Sequence, residues 1–331
     1  MRARRQLAWL LALAAGALLV AAVYLFALNR GRADVLAQGA GQLQLMAPEL
    51  ESALEKFETL PFVLGFQGDV ADVLLHPDDR QRAERLNRIL QTIQVRSKVG
   101  AIYLMDRSAN TLAASNWDQP LSFVGKNFGF RPYVQEALAG RAGRFYGIGS
   151  TTSEPGYFIS QPVWAGGAVA GVMAVKISLA EFERNWRGSD DTIVLADSAG
   201  VVFLANRPGW KYRSLRPLAP QVQQQLASTL QYGRQPIAPI GSAAGASVAR
   251  PVGRLGWQLM LFPSPQRVAN SAALWAAGGA LLLASAAAGW RNGAPPPSRC
   301  SAPRRNSTSA WPNAPPSYAR PTRTWKRATP P

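Results

Sequence analysis

The chain has 331 residues and a formal net charge of +17 at pH 7, enough length for two or three domains. A charge this high ordinarily points to nucleic acid, but here the cations crowd the ends. Arg2, Arg4 and Arg5 lead the chain, and Arg291, Arg299, Arg304, Arg305, Arg320, Arg323, Lys326 and Arg327 follow Trp290 with no acidic residue among them. Both clusters flank apolar runs, so a membrane accounts for them and no nucleic-acid partner is expected. Cys300 is the only cysteine, which excludes an intrachain disulfide and a cysteine-based metal cluster.

The first apolar run, Leu7–Leu28, carries no charge and is long enough to cross a hydrocarbon core of about 30 Å. It exceeds the roughly 7–15 apolar residues of a cleaved signal peptide, and no clean small-residue cleavage site follows it, so an uncleaved anchor is expected. A second uncharged run, Ser271–Trp290, is rich in Ala, Gly and Leu. The expected organisation is a cytoplasmic basic N-terminus (1–6), a span (7–28), an outer region (29–268), a second span (269–290) and a basic tail (291–331). The arginines before the first span and after the second put both termini in the cytoplasm. The outer region then lies in the periplasm, and the chain is a two-pass protein of the inner membrane.

The outer region opens with a helix from Ala33 to about Leu60, where Leu36, Leu43, Met46, Leu50, Leu54 and Phe57 recur at threes, fours and sevens. A kink is expected at Pro48. A second helix follows from Pro77 to Ser97, with Leu86, Ile89, Leu90 and Ile93 on one face. His76, the only histidine, falls in the polar turn before it and reads as a surface residue. From Gly100 the pattern becomes strands: AIYLMD and TLAAS form a hairpin, RPYVQEALAG a short helix stopped by Gly140, and RFYGIG, GYFISQPVW and AVAGVMAVKIS a meander. The order then repeats in smaller form. TIVLADS and VVFLAN make a second hairpin whose Asp197 matches Asp106, a helix runs near Ala219–Leu230, and ASVARPV and LGWQLMLF close the unit. The expected fold class is α+β: two tandem PAS-like antiparallel-sheet modules, about 80–185 and about 190–263, on a long N-terminal helix.

The stretch Ser115–Lys176 holds the candidate site. Arg131 stands among Phe130, Pro132 and Tyr133, hydroxyls gather at Ser150, Thr151, Thr152 and Ser153, and Lys176 ends an apolar strand. A guanidinium presents a planar fork of donors matched to a carboxylate, and flanking rings restrict its motion. Lys176 alternates with Val175 and Ile177, so it shares a sheet face with Ala174, where an unpaired charge is costly. Two cations and several hydroxyls suit a small dianion, with Trp117 and Phe130 as candidate walls. The competing reading has Lys176 facing solvent and Arg131 paired with a surface carboxylate such as Glu136.

The phrases TLAASNW, SFVGKNFGFRPYVQEALAG, GSTTSEPGYFISQPV and GVMAVKI resemble double Cache sensor domains, in particular those of DctB-type sensor histidine kinases for four-carbon dicarboxylates. That resemblance implies a periplasmic receptor for succinate, fumarate and malate, with Arg131 and Lys176 holding the two carboxylates and Ser150, Thr152 and Tyr133 donating hydrogen bonds. It also implies a two-component system, signalling as a homodimer to a response regulator, with a dicarboxylate transporter as a further partner. No cofactor is implied.

No phosphate loop, HExxH or GxSxG motif occurs, and no His follows residue 76. The phosphoacceptor His and ATP-binding domain of a histidine kinase are thus missing from the chain as written, so no kinase activity is expected of it. The alternative is a kinase-less Cache receptor, or a regulatory subunit of another membrane protein, reading a different small carboxylate. The tail after residue 291, dense in Pro, Ser and Arg, is expected to be disordered. Back-translated with GC-rich codons, it yields in one shifted frame a charged helix like the linker after the second span of sensor kinases. The hypothesis is a frameshift near residue 291. Resequencing the gene tests it, and an intact frame with no kinase-encoding sequence downstream sinks it.

Overall fold

The apolar stripe at threes and fours produces the spine of the molecule. Helix α1 runs Arg2–Glu55 and continues through Pro48. It ends short of the expected Leu60, because Pro61 lies in the first turn of a separate helix, α2 (Leu60–Gly65), where its missing N–H costs nothing. Leu43, Ala47, Leu50 and Leu54 form the buried stripe of α1. A further helix that periodicity had not suggested, α3 (Gly68–Leu75), precedes α4 (Arg80–Ser97), which begins at Asp79 because that carboxylate accepts from the amides of Gln81 and Arg82. His76 is exposed in the intervening turn.

The computed structural model describes side chains at residues 14, 16, 18–234, 236–241, 245–282 and 284–285, and traces helical backbone from residue 2 and to residue 293. Residues 1–282 form one unit and 283–331 another. The side chains of Arg2, Arg4, Arg5 and of parts of both expected spans, and residues 294–331 including Cys300, lie outside the described residues. Among the described residues no helix is long and apolar enough to cross a membrane.

The first sheet joins β1 (Ala101–Asp106), β2 (Thr111–Ala114), β3 (Gly143–Ile148), β4 (Pro155–Ala165) and β5 (Ala168–Ile177) in the order β2-β1-β5-β4-β3, all antiparallel. Its helix α5 is Pro132–Leu138, stopped near Gly140, whose φ of 81° suits a residue without a Cβ. A short helix, α6 (Ala180–Trp186), leads to the second sheet. There β6 (Thr192–Ala196), β7 (Val202–Ala205), β8 (Val248–Val252) and β9 (Trp257–Phe262) take the order β7-β6-β9-β8, with α7 (Pro220–Ser228) before the last pair. The two sheets share the arrangement of a first hairpin paired to a returning one. Asp106 and Asp197 play the same local part. Asp106 Oδ1 accepts from the amides of Ser108 and Asn110, and Asp197 Oδ1 from those of Ala199 and Val201.

Helix α1 serves both sheets. Its buried leucines share one core with Ile102, Met173 and Ile159 of the first and Leu259 and Leu261 of the second. Helix α8 (Pro265–Gly293) runs back along α1: Arg267 donates to Gln38 at 2.9 Å, Trp275 to Asp34, and a Cβ on Gly31 would come within 2.6 Å of the Ala272 nitrogen. Arg267 also pairs with the buried Asp191 just before β6. On the other side of the first sheet, α5 is drawn close at Gly143, where an added Cβ would meet the Tyr133 carbonyl oxygen at 2.1 Å. Gly143→Ala is therefore expected to cost about 2 kcal/mol or more through overpacking, read as a lowered midpoint in thermal or urea unfolding.

Candidate functional site

The pleat sorts the residues of the first sheet. Tyr103 of β1 lies opposite Ala174 of β5, and Lys176 opposite Ala101 and Phe158, so these side chains share one face. The other face, with Ile102, Leu104, Met173 and Val175, belongs to the core against the N-terminal helices. Helix α5 covers the Tyr103 face. Ser160 on β4 donates to the Tyr133 carbonyl at 2.6 Å, and the Tyr133 ring stacks on Phe158 at 5.1 Å.

Arg131 is the residue immediately before α5, with extended backbone, and Pro132 starts the helix. This turns its side chain inward, where it is only 2% exposed. Nη2 donates to the Ile148 carbonyl at 2.6 Å, and Nη1 donates to the carbonyls of Thr229 and Leu230 at 2.9 and 3.1 Å. The guanidinium carbon lies 4.9 Å from the Phe130 ring centre and 5.4 Å from that of Phe145. Burial lowers its pKa, with Tyr133 and Tyr103 countering, yet a guanidinium stays charged under such a shift. Glu136, the surface carboxylate considered for it, pairs instead with Arg141 at 2.8 Å.

Beside Arg131 the Tyr103 and Tyr133 hydroxyls meet at 2.7 Å. Burial pushes the Tyr133 phenol up to about 12 and that of Tyr103 well above the usual tyrosine value, so both remain neutral donors. These three residues, with Phe123, Phe128, Phe158, Gly149, Ser150 and Thr151, line a cavity of about 10 Å³, room for one water.

Lys176 is also buried, at 4% exposure. Its ammonium donates to Thr152 Oγ1 at 3.2 Å and Glu154 Oε2 at 3.3 Å, while its stem crosses Gly156, where a Cβ would lie 2.7 Å from Cε. Burial lowers its pKa, and Glu154 opposes that shift. The loop Gly149–Glu154, closed by the Gly149 amide donating to the Glu154 carbonyl at 2.8 Å, thus stands between the two cations. Arg131 holds the carbonyl that precedes the loop, and Lys176 holds two of its side chains.

Of the residues expected from sequence, Arg131, Tyr133 and Ser150 line the cavity; Lys176, Thr152 and Phe130 do not, Phe130 stacking on Arg131 and Thr152 binding Lys176 across the loop. Trp117 lies elsewhere: its Nε1 points to Gln91 of α4 at 3.4 Å, and it is not among the lining residues. Tyr103, Phe123, Phe128 and Phe158 had not been singled out. For Tyr103 a signal existed, since the alternation in AIYLMD places it on one face with Ala101 and Met105.

This arrangement, two tandem α+β modules on one helix with a cationic pocket in the first, defines a sensor module of the double Cache class. No protein-family model matches the chain. It is 32% identical over 244 residues to the C4-dicarboxylate transport sensor protein DctB of Rhizobium meliloti, and 33% identical over 227 residues to that of Pseudomonas aeruginosa. These matches cover 72% and 68% of this chain but only 39% and 37% of the relatives' lengths. The crystal structure of the Vibrio cholerae histidine kinase DctB sensor domain superposes with a TM-score of 0.66 at 25% identity, covering 70% of this chain and 97% of that domain. A putative sensory box/GGDEF family domain of Vibrio parahaemolyticus shares the fold at a TM-score of 0.53 and 14% identity. The sensor region of this chain is of the DctB type.

The tyrosine pair gives a direct check on the site's energetics. Tyr103→Phe leaves the Tyr133 hydroxyl buried without that partner and is expected to cost about 1–2 kcal/mol. The double variant Tyr103→Phe/Tyr133→Phe is expected to recover part of this in urea unfolding.

Proposed function

We propose that this chain is the sensory part of a two-component system, binding four-carbon dicarboxylates such as succinate, fumarate or malate between Arg131 and Lys176. The observation that carries the reading is two cations, both nearly fully buried, facing one hydroxyl-bearing loop. The DctB names of the relatives support it. One carboxylate binds the Arg131 fork, with the Tyr103 and Tyr133 hydroxyls as donors. The other takes the Lys176 ammonium with Thr152 and Ser150, replacing Glu154, whose side chain is 74% exposed and easily resolvated. Phe130 holds Arg131 from the side, and Trp117 supports α4 rather than the ligand.

The same reading places residues 29–268 in the periplasm between spans at 7–28 and 269–290 of the inner membrane, both termini cytoplasmic. The chain acts as a homodimer, its output passing to a histidine kinase, a response regulator and dicarboxylate uptake. The close run of α8 along α1 gives the two helices a shared surface on which a displacement can travel.

Titration of the purified full chain with succinate in a calorimeter tests the site. Binding is expected, with loss of at least about 100-fold in Arg131→Ala, since a charge-assisted bidentate contact is among the stronger ones. No heat with any four-carbon dicarboxylate, or equal affinity in Arg131→Ala, overturns the assignment.

The pH dependence has a definite sign. Lys176 titrates below the ordinary lysine value of 10.5 because burial disfavours its charge, while the tyrosines stay neutral there. Succinate affinity is expected to fall as pH rises toward 10.5, and Lys176→Met should flatten that fall. The Lys176 contribution to stability moves the other way, because its ammonium holds its proton longer in the unfolded chain than in the folded one. The buried tyrosines, raised by burial, favour the fold less as pH rises, so the lysine's sign is read as the difference between the parent and Lys176→Met. Paired calorimetric and unfolding series across that range check both signs.

A further inference from the structure

Arg131 belongs to two modules at once. Its Nη1 bonds go to Thr229 and Leu230, where α7 of the second module ends, and carbonyls at a helix C-terminus carry partial negative charge that suits a cation. The same turn is fastened twice more. Gln231 accepts from the Ile148 amide at 2.8 Å, and the Tyr232 hydroxyl donates to Asp197 Oδ2 at 2.7 Å. Leu230 is held at a φ of 50°, a left-handed conformation that a leucine adopts only when its surroundings impose it.

A guanidinium has five N–H donors. The three bonds to Ile148, Thr229 and Leu230 leave Nε–H and a second Nη2–H for a carboxylate. The cavity beside them, about 10 Å³, admits one water, whereas a four-carbon diacid needs several times the space of a water molecule. Its walls must move to admit such a ligand. The tyrosine wall is backed by stacked Phe158 and by Ser160. The Arg131 wall is backed by the α7 turn, which is half-exposed at Thr229 and Leu230.

We infer that the turn ending α7 is a positioning element of the ligand site: a dicarboxylate entering the cavity shifts Arg131 and loosens residues 229–232 from the first module. This rests on the dicarboxylate reading of the site. Ligand binding in one module and docking of the other are then linked by one side chain, and the linkage is reciprocal. Anything that frees the turn makes the cavity cheaper to open and tightens the ligand.

Amide hydrogen exchange on the full chain, with and without saturating succinate, tests the inference. Succinate is expected to speed exchange across 229–233 several-fold. Arg131→Lys, which cannot reach all three carbonyls, should show fast exchange there already without ligand. Tyr232→Phe, remote from the ligand, frees the turn from Asp197 of its own module, so the turn yields to Arg131 more cheaply. It should also speed exchange of the turn yet bind succinate a few-fold more tightly, an effect that simple destabilisation would not give. Succinate binding without altered exchange, unaltered exchange in unliganded Arg131→Lys, or unchanged or weaker binding by Tyr232→Phe each overturns the inference. Complete absence of dicarboxylate binding overturns the functional reading and this inference together.

Discussion

A buried guanidinium must have its donors satisfied, and that requirement ties the two halves of the sensor region together. An unpaired cation inside a protein costs several kcal/mol, so Arg131 fits its place only because Ile148, Thr229 and Leu230 turn carbonyls toward it. Two of these acceptors lie almost a hundred residues along the chain. The buried cation of the first module is therefore satisfied only by carbonyls that the second module supplies. On the opposite face of β3, Tyr146 packs on Phe203 at 4.1 Å and near Trp257, so apolar contact joins the same two modules.

Lys176 is held by different means. Its ammonium is a point charge on a flexible stem with one exposed carboxylate partner, a pair that solvent screens and that contributes little to stability. Arg131 is fixed by geometry on several sides. Lys176 can exchange its partner without disturbing the fold, whereas Arg131 is bound into both modules. The glycines beneath Lys176 make this possible, since a Cβ at Gly156 would displace the stem.

Helices α1 and α8 meet beside the sheets. Both sheets lean on α1, and α8 is pinned at its start by Arg267 on the buried Asp191 and by the Ser264 amide on the same carboxylate at 2.9 Å. Close approach at Gly31 and Ala272 and the Arg30 contact with the Trp275 ring at 5.3 Å couple the two helices where they leave the sheets.

Much was legible in the sequence because local chemistry governs it. The α1 stripe, the two hairpins, the α5 stop at Gly140 and the paired Asp106 and Asp197 turns all follow from periodicity and turn residues within a few positions. So did the shared face of Lys176 and Ala174, since a strand's period is fixed at two. Arg131 was legible as a candidate through its aromatic and proline neighbours. Its partners were not, because Thr229 and Leu230 bond through backbone carbonyls that every residue possesses. Trp117 and Tyr103 show the same limit from opposite sides: both are aromatics near the site in sequence, but only register and helix packing put Tyr103 in the cavity and Trp117 on Gln91. Sequence alone determined most of the elements, α2, α3 and α6 excepted, and the charges they carry. The tertiary structure decided which charges meet, because burial and long-range pairing depend on how the two sheets close around α1.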